Sequence, residues 1–301
     1  MTEYRASFDA EVDFINGGSL HVKGFRIDVP SDRVTSEEIA ALFVQSLGLL
    51  MAGAVRLSKL MIVAEPHRGT RDTTPARSGA NTRLVELSHV VRDGMVTFPG
   101  LPAPAVTAFR THEQSREHYA PGTEFAIDSI TMVGNTGTYV DSPYHRYETG
   151  DDLAALPLER LANLPAVVVR VIGADQRGVS RMTLAALGDL RGAAVLIHTG
   201  DAERFGTPEY ATEAAFLTRS AAEHLVEAGV ALVGIDSVNI DSMDDPARPA
   251  HTVLLAAGVP IVEHLTGLDQ LPPRGARFTA TPPRVAHFGS FPVRAFAEIP
   301  R

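Results

Sequence analysis

Cysteine is absent from all 301 residues, which excludes disulfide frameworks, thiolate zinc sites and cysteine nucleophiles. Basic residues are in deficit, with 27 Lys plus Arg against 36 Asp plus Glu and a formal charge of −9 with His neutral. Nucleic acid and anionic membranes both reward basic patches, so neither is an expected partner. Long apolar runs are missing too. The longest, Ala40 to Val55, is broken by Gln45, Ser46, Gly48 and Gly53 and is too short to span a bilayer. The opening MTEYRASFDAEV carries acids and no apolar h-region, so no secretory signal is expected and the expected location is cytoplasmic. What is present is an ordinary globular balance, 45% hydrophobic and 21% charged, enough to fill a sizeable core. At about 150 residues per domain, the length fits one large domain or two smaller ones.

The first stretch reads as a small ββαβ module over residues 1–67. Phe8 to Phe14 alternates apolar and polar, Asn16-Gly17-Gly18 is a hairpin signal, and Leu20 to Val29 alternates again before Pro30. Thr35 and Glu38 have capping-box spacing, Ile39, Leu42, Phe43 and Leu47 recur at helical intervals, and Val55 to Val63 reads as the third strand. Residues 68–83 hold Thr, Arg, Gly and Pro without a large apolar side chain, which predicts a linker. From Leu84 to Arg301 strands and helices alternate. Val167 to Ile172, Val195 to His198 and Val230 to Ile235 read as strands, and Thr218 caps a helix that Gly229 ends. The expected architecture is an α/β domain over 84–301 behind a small N-terminal module.

Unusual residues concentrate in Gly134-Asn135-Thr136-Gly137-Thr138-Tyr139-Val140-Asp141-Ser142-Pro143-Tyr144-His145. No Gly-Lys-Ser/Thr follows the glycines, so this is not a phosphate loop. Pro143 biases Ser142 towards extended backbone, and in an extended chain Tyr139, Asp141 and His145 share one face. A phenol, a carboxylate and an imidazole on one face make an acid–base surface. The bland alternative is a turn-capping Asp141 and a structural His145.

This segment resembles the signature of the cyclase family that includes bacterial kynurenine formamidase and isatin hydrolase, H-x-G-T-H-x-D-x-P-x-H; Gly137, Thr138, Asp141, Pro143 and His145 match it. Further stretches agree in order. Glu86-Leu87-Ser88-His89, Asp93-Gly94-Met95 and Phe98-Pro99-Gly100 resemble the family's opening block; Leu196 to Gly200, Gly234-Ile235-Asp236 and Ile240-Asp241 resemble its central strands. His251, Leu254-Leu255 and Pro260-Ile261-Val262-Glu263 resemble a second metal block, and Gly289-Ser290 with Pro292-Val293-Arg294-Ala295 the closing one. The resemblance covers Leu84 onward. It implies a swivelling β/β/α fold, a homodimer or larger homo-oligomer, and metal-assisted chemistry at an amide or lactam carbonyl of a small-molecule substrate.

The family pattern is broken at two positions. Members usually carry histidines where this chain has Asn135 and Tyr139, and those histidines with the motif Asp hold one metal. Counterparts of the second site remain as Asp141, His251 and Glu263, and the catalytic histidine remains as His145. A carboxamide and a phenol replace imidazoles poorly, since zinc prefers nitrogen and sulfur donors. The resemblance therefore implies at most one divalent ion, zinc or manganese, on Asp141, His251 and Glu263, with a metal-free protonic cluster as the alternative. His145, Asp141 and Tyr139 are the expected catalytic residues, Tyr139 as donor to a developing oxyanion, and Asn135, Thr138 and Phe98 the expected substrate contacts. Three functions stay open: a formamidase-like hydrolase, a ring-closing cyclase or dehydratase, and a non-catalytic ligand or partner binder. His198, Asp201, Asp236 and Ser237 are secondary candidates, with turn capping an equal alternative; Arg294 and His287 weigh less and read as structural.

Overall fold

The computed structural model describes residues 3–47, 52–65, 82–174 and 176–301. The chain divides into two compact units, residues 1–76 and 77–301. Most of the expected linker, 68–81, lies outside the described residues; its last two residues, Thr82 and Arg83, open a strand.

In the first unit, β1 (Glu3–Phe14) and β2 (Ser19–Val29) form an antiparallel hairpin whose turn glycines, Gly17 and Gly18, sit at φ 89° and 95°. Only residues without Cβ adopt such angles freely. Helix α1 (Ser36–Ser46) starts at the expected capping box: Glu38 N–H donates to Thr35 Oγ1 at 3.3 Å, and Thr35 N–H to Glu38 Oε2 at 2.8 Å. The Thr35 N–H and hydroxyl both donate to Glu38 Oε2 and hold its pKa below the usual carboxylate range, against a smaller opposing effect of burial. Strand β3 (Ala52–Glu65) returns on the other side of β1, giving the order β2-β1-β3. Phe8, Phe25 and Phe43 pack with ring centroids 4.9–5.7 Å apart beneath the helix. The element order is two strands, a helix and a third strand, and the strands are longer than the alternation alone marked.

The second unit opens with β4 (Thr82–Glu86), a hairpin of β5 (Ala105–Arg110) and β6 (Ile127–Thr131) enclosing α2 (His112–Ser115), and the short β7 (Tyr139–Asp141). Next come β8 (Leu164–Arg170), β9 (Gly178–Val179), α3 (Arg181–Ala185) and β10 (Ala194–His198). Strand β11 (Phe216–Leu217), α4 (Arg219–Glu227, capped by Thr218), β12 (Leu232–Ile235), α5 (Pro249–Ala256) and β13 (Ile261–Glu263) follow. The chain closes with β14 (Arg274–Thr279), β15 (Ser290–Pro292) and β16 (Phe296–Pro300).

Nine of these strands make one mixed sheet, β15-β7-β13-β12-β10-β8-β14-β16-β4. Its centre, β8, β10, β12 and β13, is parallel, and the flanks are antiparallel. Parallel strands buried on both faces read as unbroken apolar runs, which is why this region was legible. Alternate residues divide between two cores. Val168 and Leu196 join Leu87 and Phe278 on one face; Val167, Val195 and Ile197 join Leu225 and Leu254 on the other. The unit is α/β as expected.

The extended run through His145 is corrected. Strand β7 ends at Asp141, and Pro143–His145 is a 3-10 turn with proline in its first position, where its fixed φ and missing N–H cost nothing.

Candidate active site

Strand register assembles the site. In β7, Asp141 lies opposite both Ile261 of β13 and Ser290 of β15, while Tyr139 lies opposite Glu263 and Pro292. Directly opposed residues of antiparallel strands project to the same face. The Tyr139 hydroxyl accordingly donates to Glu263 Oε2, and the Ser290 hydroxyl to Asp141 Oδ1. Two glycines let the segments approach. A Cβ at Gly134 would collide with the Ser290 carbonyl oxygen, and one at Gly289 would lie 2.7 Å from His145 Cα.

His251 enters from the first turn of α5. Its Nδ1 is 2.7 Å from Asp241 Oδ2, and Asp241 also accepts the N–H groups of Ala250 at 2.6 Å and His251 at 3.0 Å. One carboxylate therefore caps the helix and fixes the ring, directing Nε2 inward. There Nε2 stands 3.6 Å from Asp141 Oδ2 and 3.7 Å from Glu263 Oε1. Glu263 Oε1 also accepts the Ile240 N–H at 2.6 Å.

His145 reaches the same carboxylate by a different path from the expected one. The turn brings its Nδ1 to 3.8 Å from Asp141 Oδ1 and 2.9 Å from Ser290 Oγ. Its side chain is 36% exposed, whereas those of Asp141 and Glu263 are wholly buried.

Burial opposes the charge on His251, but the carboxylates of Asp141, Asp241 and Glu263 outweigh it and raise its pKa to about 10. Burial likewise opposes ionisation of Asp141, yet the neighbouring imidazoles and the Ser290 hydroxyl hold its pKa below the usual carboxylate range. Glu263 is pushed up to about 7, chiefly by burial, with the Asp141 charge adding to it against the pull of His251. Burial first and then the Glu263 charge carry the Tyr139 phenol well above its ordinary value.

Tyr139, His145, His251 and Glu263 line a cavity of about 290 Å³ together with Phe98, Leu101, Asn135, Arg146, Asn239 and Arg248. A larger groove of about 740 Å³ lies in the first unit between α1 and β3, but Glu37 is the only ionisable side chain lining it. The chemistry belongs to the smaller cavity.

Asp141, His145 and His251 each present a ligand atom, all within 4.8 Å of one another. Asp141 Oδ2 is buried without a hydrogen-bond partner, as a carboxylate oxygen awaiting a cation would be. The donor set fits one divalent ion.

Not every expected residue lies at the cavity. Thr138 is a strut: its Oγ1 donates to the His264 carbonyl at 2.5 Å and accepts the His89 N–H at 3.0 Å, away from the cavity. Tyr139 lines the cavity, but its proton is already given to Glu263, so it holds that carboxylate rather than offering a donor to substrate. Asp236 caps a turn through Thr199 and Gly200, and Asp201 pairs with Arg204 at 2.5 Å. His198 lies 3.9 Å from Asp236, outside the cavity; Ser237 is likewise buried away from it. Arg294 is a surface partner of Glu86, and exposed His287 donates its backbone N–H to Asp152 at 2.6 Å. Sequence reasoning assigned no role to Asp241, Ser290, Asn239, Arg146 or Arg248. Ile240-Asp241 and Gly289-Ser290 stood inside quoted blocks, which was the available signal.

Residues 85–242 match the sequence model of a family described as putative cyclase. The kynurenine formamidase of Paracidovorax citrulli is 29% identical over 220 residues, 72% of this chain and 97% of that protein. The kynurenine formamidase of Bacillus cytotoxicus is 27% identical over 214 residues, 70% and 95% of the two chains. Among solved structures, isatin hydrolase A from Labrenzia aggregata superposes with a TM-score of 0.63 at 23% identity, covering 73% of this chain and 94% of that one. A protein described as a potential metal-dependent hydrolase with cyclase activity gives a TM-score of 0.60 at 23% identity, covering 73% and 99%. Among the described residues, no helix is long and apolar enough to cross a membrane.

Proposed function

The chain belongs to the putative cyclase family, and from that premise we propose that it is a hydrolase of amide-type small molecules in which His145 moves the proton. The observation that carries this reading is the hydrogen bonding of His145. The Ser290 hydroxyl has one proton and gives it to Asp141 Oδ1, so it accepts Nδ1–H of His145 and leaves Nε2 with a free lone pair. A base held by an orienting group, half-exposed beside buried acids, is what abstraction of a proton from water needs. The nature of the relatives, kynurenine formamidases that cover nearly their whole length here, supports an amide carbonyl as the target.

His145 Nε2 takes a proton from water as the water oxygen bonds to the carbonyl carbon. It then returns that proton to the departing nitrogen as the C–N bond breaks, giving an acid and an amine, or an opened ring from a lactam. A divalent ion on Asp141, His251 and Glu263 would polarise that carbonyl and acidify the water. Asp241 keeps His251 Nε2 directed at this niche, and Tyr139 fixes Glu263. Phe98 and Asn135 face the substrate from the cavity wall. At most one ion binds, because Asn135 and Tyr139 occupy the positions where the family's other site has imidazoles.

The close approach of His145 to Asp141 and His251 favours a second reading, in which His145 is itself a ligand. Metal content separates the two. With N-formylkynurenine and isatin as first substrates, His145→Gln and His145→Ala should each lose about 10²–10⁴ in turnover. Both should keep their fold and the wild-type metal content, at most one ion per chain by elemental analysis. Loss of the ion on substitution makes His145 a ligand. A fully active His145→Gln protein ends the acid–base role, and two tightly held ions in the wild type end the single-ion reading.

A further inference from the structure

Arg248 stands at the cavity wall without an acidic partner. Its Nη1 donates to the Ser242 carbonyl at 2.9 Å and lies 3.4 Å from Asn239 Oδ1 and 4.0 Å from Met243 Sδ, all neutral. Arg204, Arg181 and Arg116 are neutralised by Asp201, Glu227 and Glu124, whereas Arg170, Arg277 and Arg284 bond neutral acceptors as Arg248 does; of these, only Arg248 lines the cavity that holds His145. A half-buried cation with no counter-charge among the described residues is costly unless a ligand supplies one. The backbone adds to the case. Arg248 sits at φ 46° and ψ 60°, a left-handed conformation that costs a non-glycine residue about 1–3 kcal/mol and clusters at functional positions. Asn239 Oδ1 accepts the Asp241 N–H at 2.9 Å, leaving its amide nitrogen free beside the guanidinium. Arg146, whose contact is with the Tyr147 ring at 5.4 Å, adds a second unneutralised cation to the same cavity.

We propose that Arg248, assisted by Asn239, is an anion subsite that receives a carboxylate carried by the substrate. The inference rests on the hydrolase reading for the word substrate, though not for the binding of an anion. A planar guanidinium with Nη2 and Nε uncommitted suits a bidentate carboxylate. The carboxylates of Asp141 and Glu263 lie beside His145 and His251 and repel an anion, which favours the Arg248 guanidinium as the group that holds a carboxylate. Phe98 and Leu101 line the same cavity and offer apolar contact, and about 290 Å³ suits a single substituted ring. The chemical class is an aryl or similarly compact amide bearing a carboxylate away from the bond that breaks.

Calorimetric titration of the isolated protein with benzoate and with benzamide tests the subsite without turnover. Benzoate should bind at least tenfold more tightly than benzamide. Arg248→Gln should remove at least tenfold of the benzoate affinity and change benzamide by less than twofold, with Arg248→Lys between. Equal affinity for the two probes in the wild type overturns the subsite, whether or not the variants fold. So does benzoate binding that Arg248→Gln leaves intact, which would locate the anion at a bound metal. Turnover of 4-formamidobenzoate and formanilide keeps the two readings apart. If neither is cleaved while benzoate binding needs Arg248, the hydrolase reading fails and the subsite stands. If both are cleaved equally by wild type and Arg248→Gln, the subsite fails and the hydrolase reading stands.

Discussion

Removing the Ser290 hydroxyl leaves Asp141 Oδ1 without its close donor and the His145 Nδ1–H without its acceptor. Ser290→Ala should therefore lower turnover by about ten- to a hundredfold while leaving substrate affinity close to wild type, because the residue positions the base and does not touch substrate. Loss of a buried bond to a charged group costs roughly 1–3 kcal/mol, so the melting temperature should fall by a few degrees. A purely structural Ser290 would show the thermal change and no change in turnover at a temperature where both proteins are folded. Asp141, His145, His251 and Glu263 were legible because their residue types and order match a family pattern. Ser290 and Asp241 gave no local signal of their roles. Ser290 meets His145 across 145 residues, and the contact exists only through strand register. Thr138 was misread for a related reason: a hydroxyl in a motif looks like a ligand contact, and only the fold shows the carbonyl and N–H that occupy it.

At the scale of elements, the parallel strands and the helices capped by Thr35 and Thr218 were readable because the signals are local: apolar runs, side-chain caps and glycine stops. The mixed sheet order and the β5–β6 hairpin were not, since antiparallel flanks depend on pairings distant in sequence. Among the described residues that hairpin joins no larger sheet, and it exposes Phe109 to 71% and the cross-strand pair Val106 and Ile130, with exposed Phe125 just before β6. A two-stranded hairpin is marginal alone, so cover over these exposed apolar side chains would stabilise it. We propose a second copy of this chain as its cover. Light scattering should give twice the 32.2 kDa chain mass, and Phe109→Asp should shift the protein towards monomer without altering the fold of either unit. A monomeric wild type, or a variant that dimerises as before, would remove the hairpin from the interface.

Each unit has its own core, the first built on Phe8, Ile39 and Phe43 and the second on the two faces of the nine-stranded sheet. Every site residue, from Phe98 to Ser290, lies in the second unit, and the family match begins at residue 85. Composition suggests a division in this region, because a large apolar side chain is what ties a segment to a core and residues 68–83 have none. The same stretch supplies Arg68, Arg71 and Arg77 ahead of the strand that begins at Thr82. Proteases favour such segments over backbone committed to strands, so limited trypsin digestion should cut here first and leave two resistant fragments. Since the catalytic groups and the Arg248 wall share one fragment, amide hydrolysis should persist after the cut at close to the uncut rate. Initial cleavage elsewhere would contradict the assignment of 68–83 as a linker. Activity lost in step with cleavage at these arginines would instead show that the second unit needs the first in order to work.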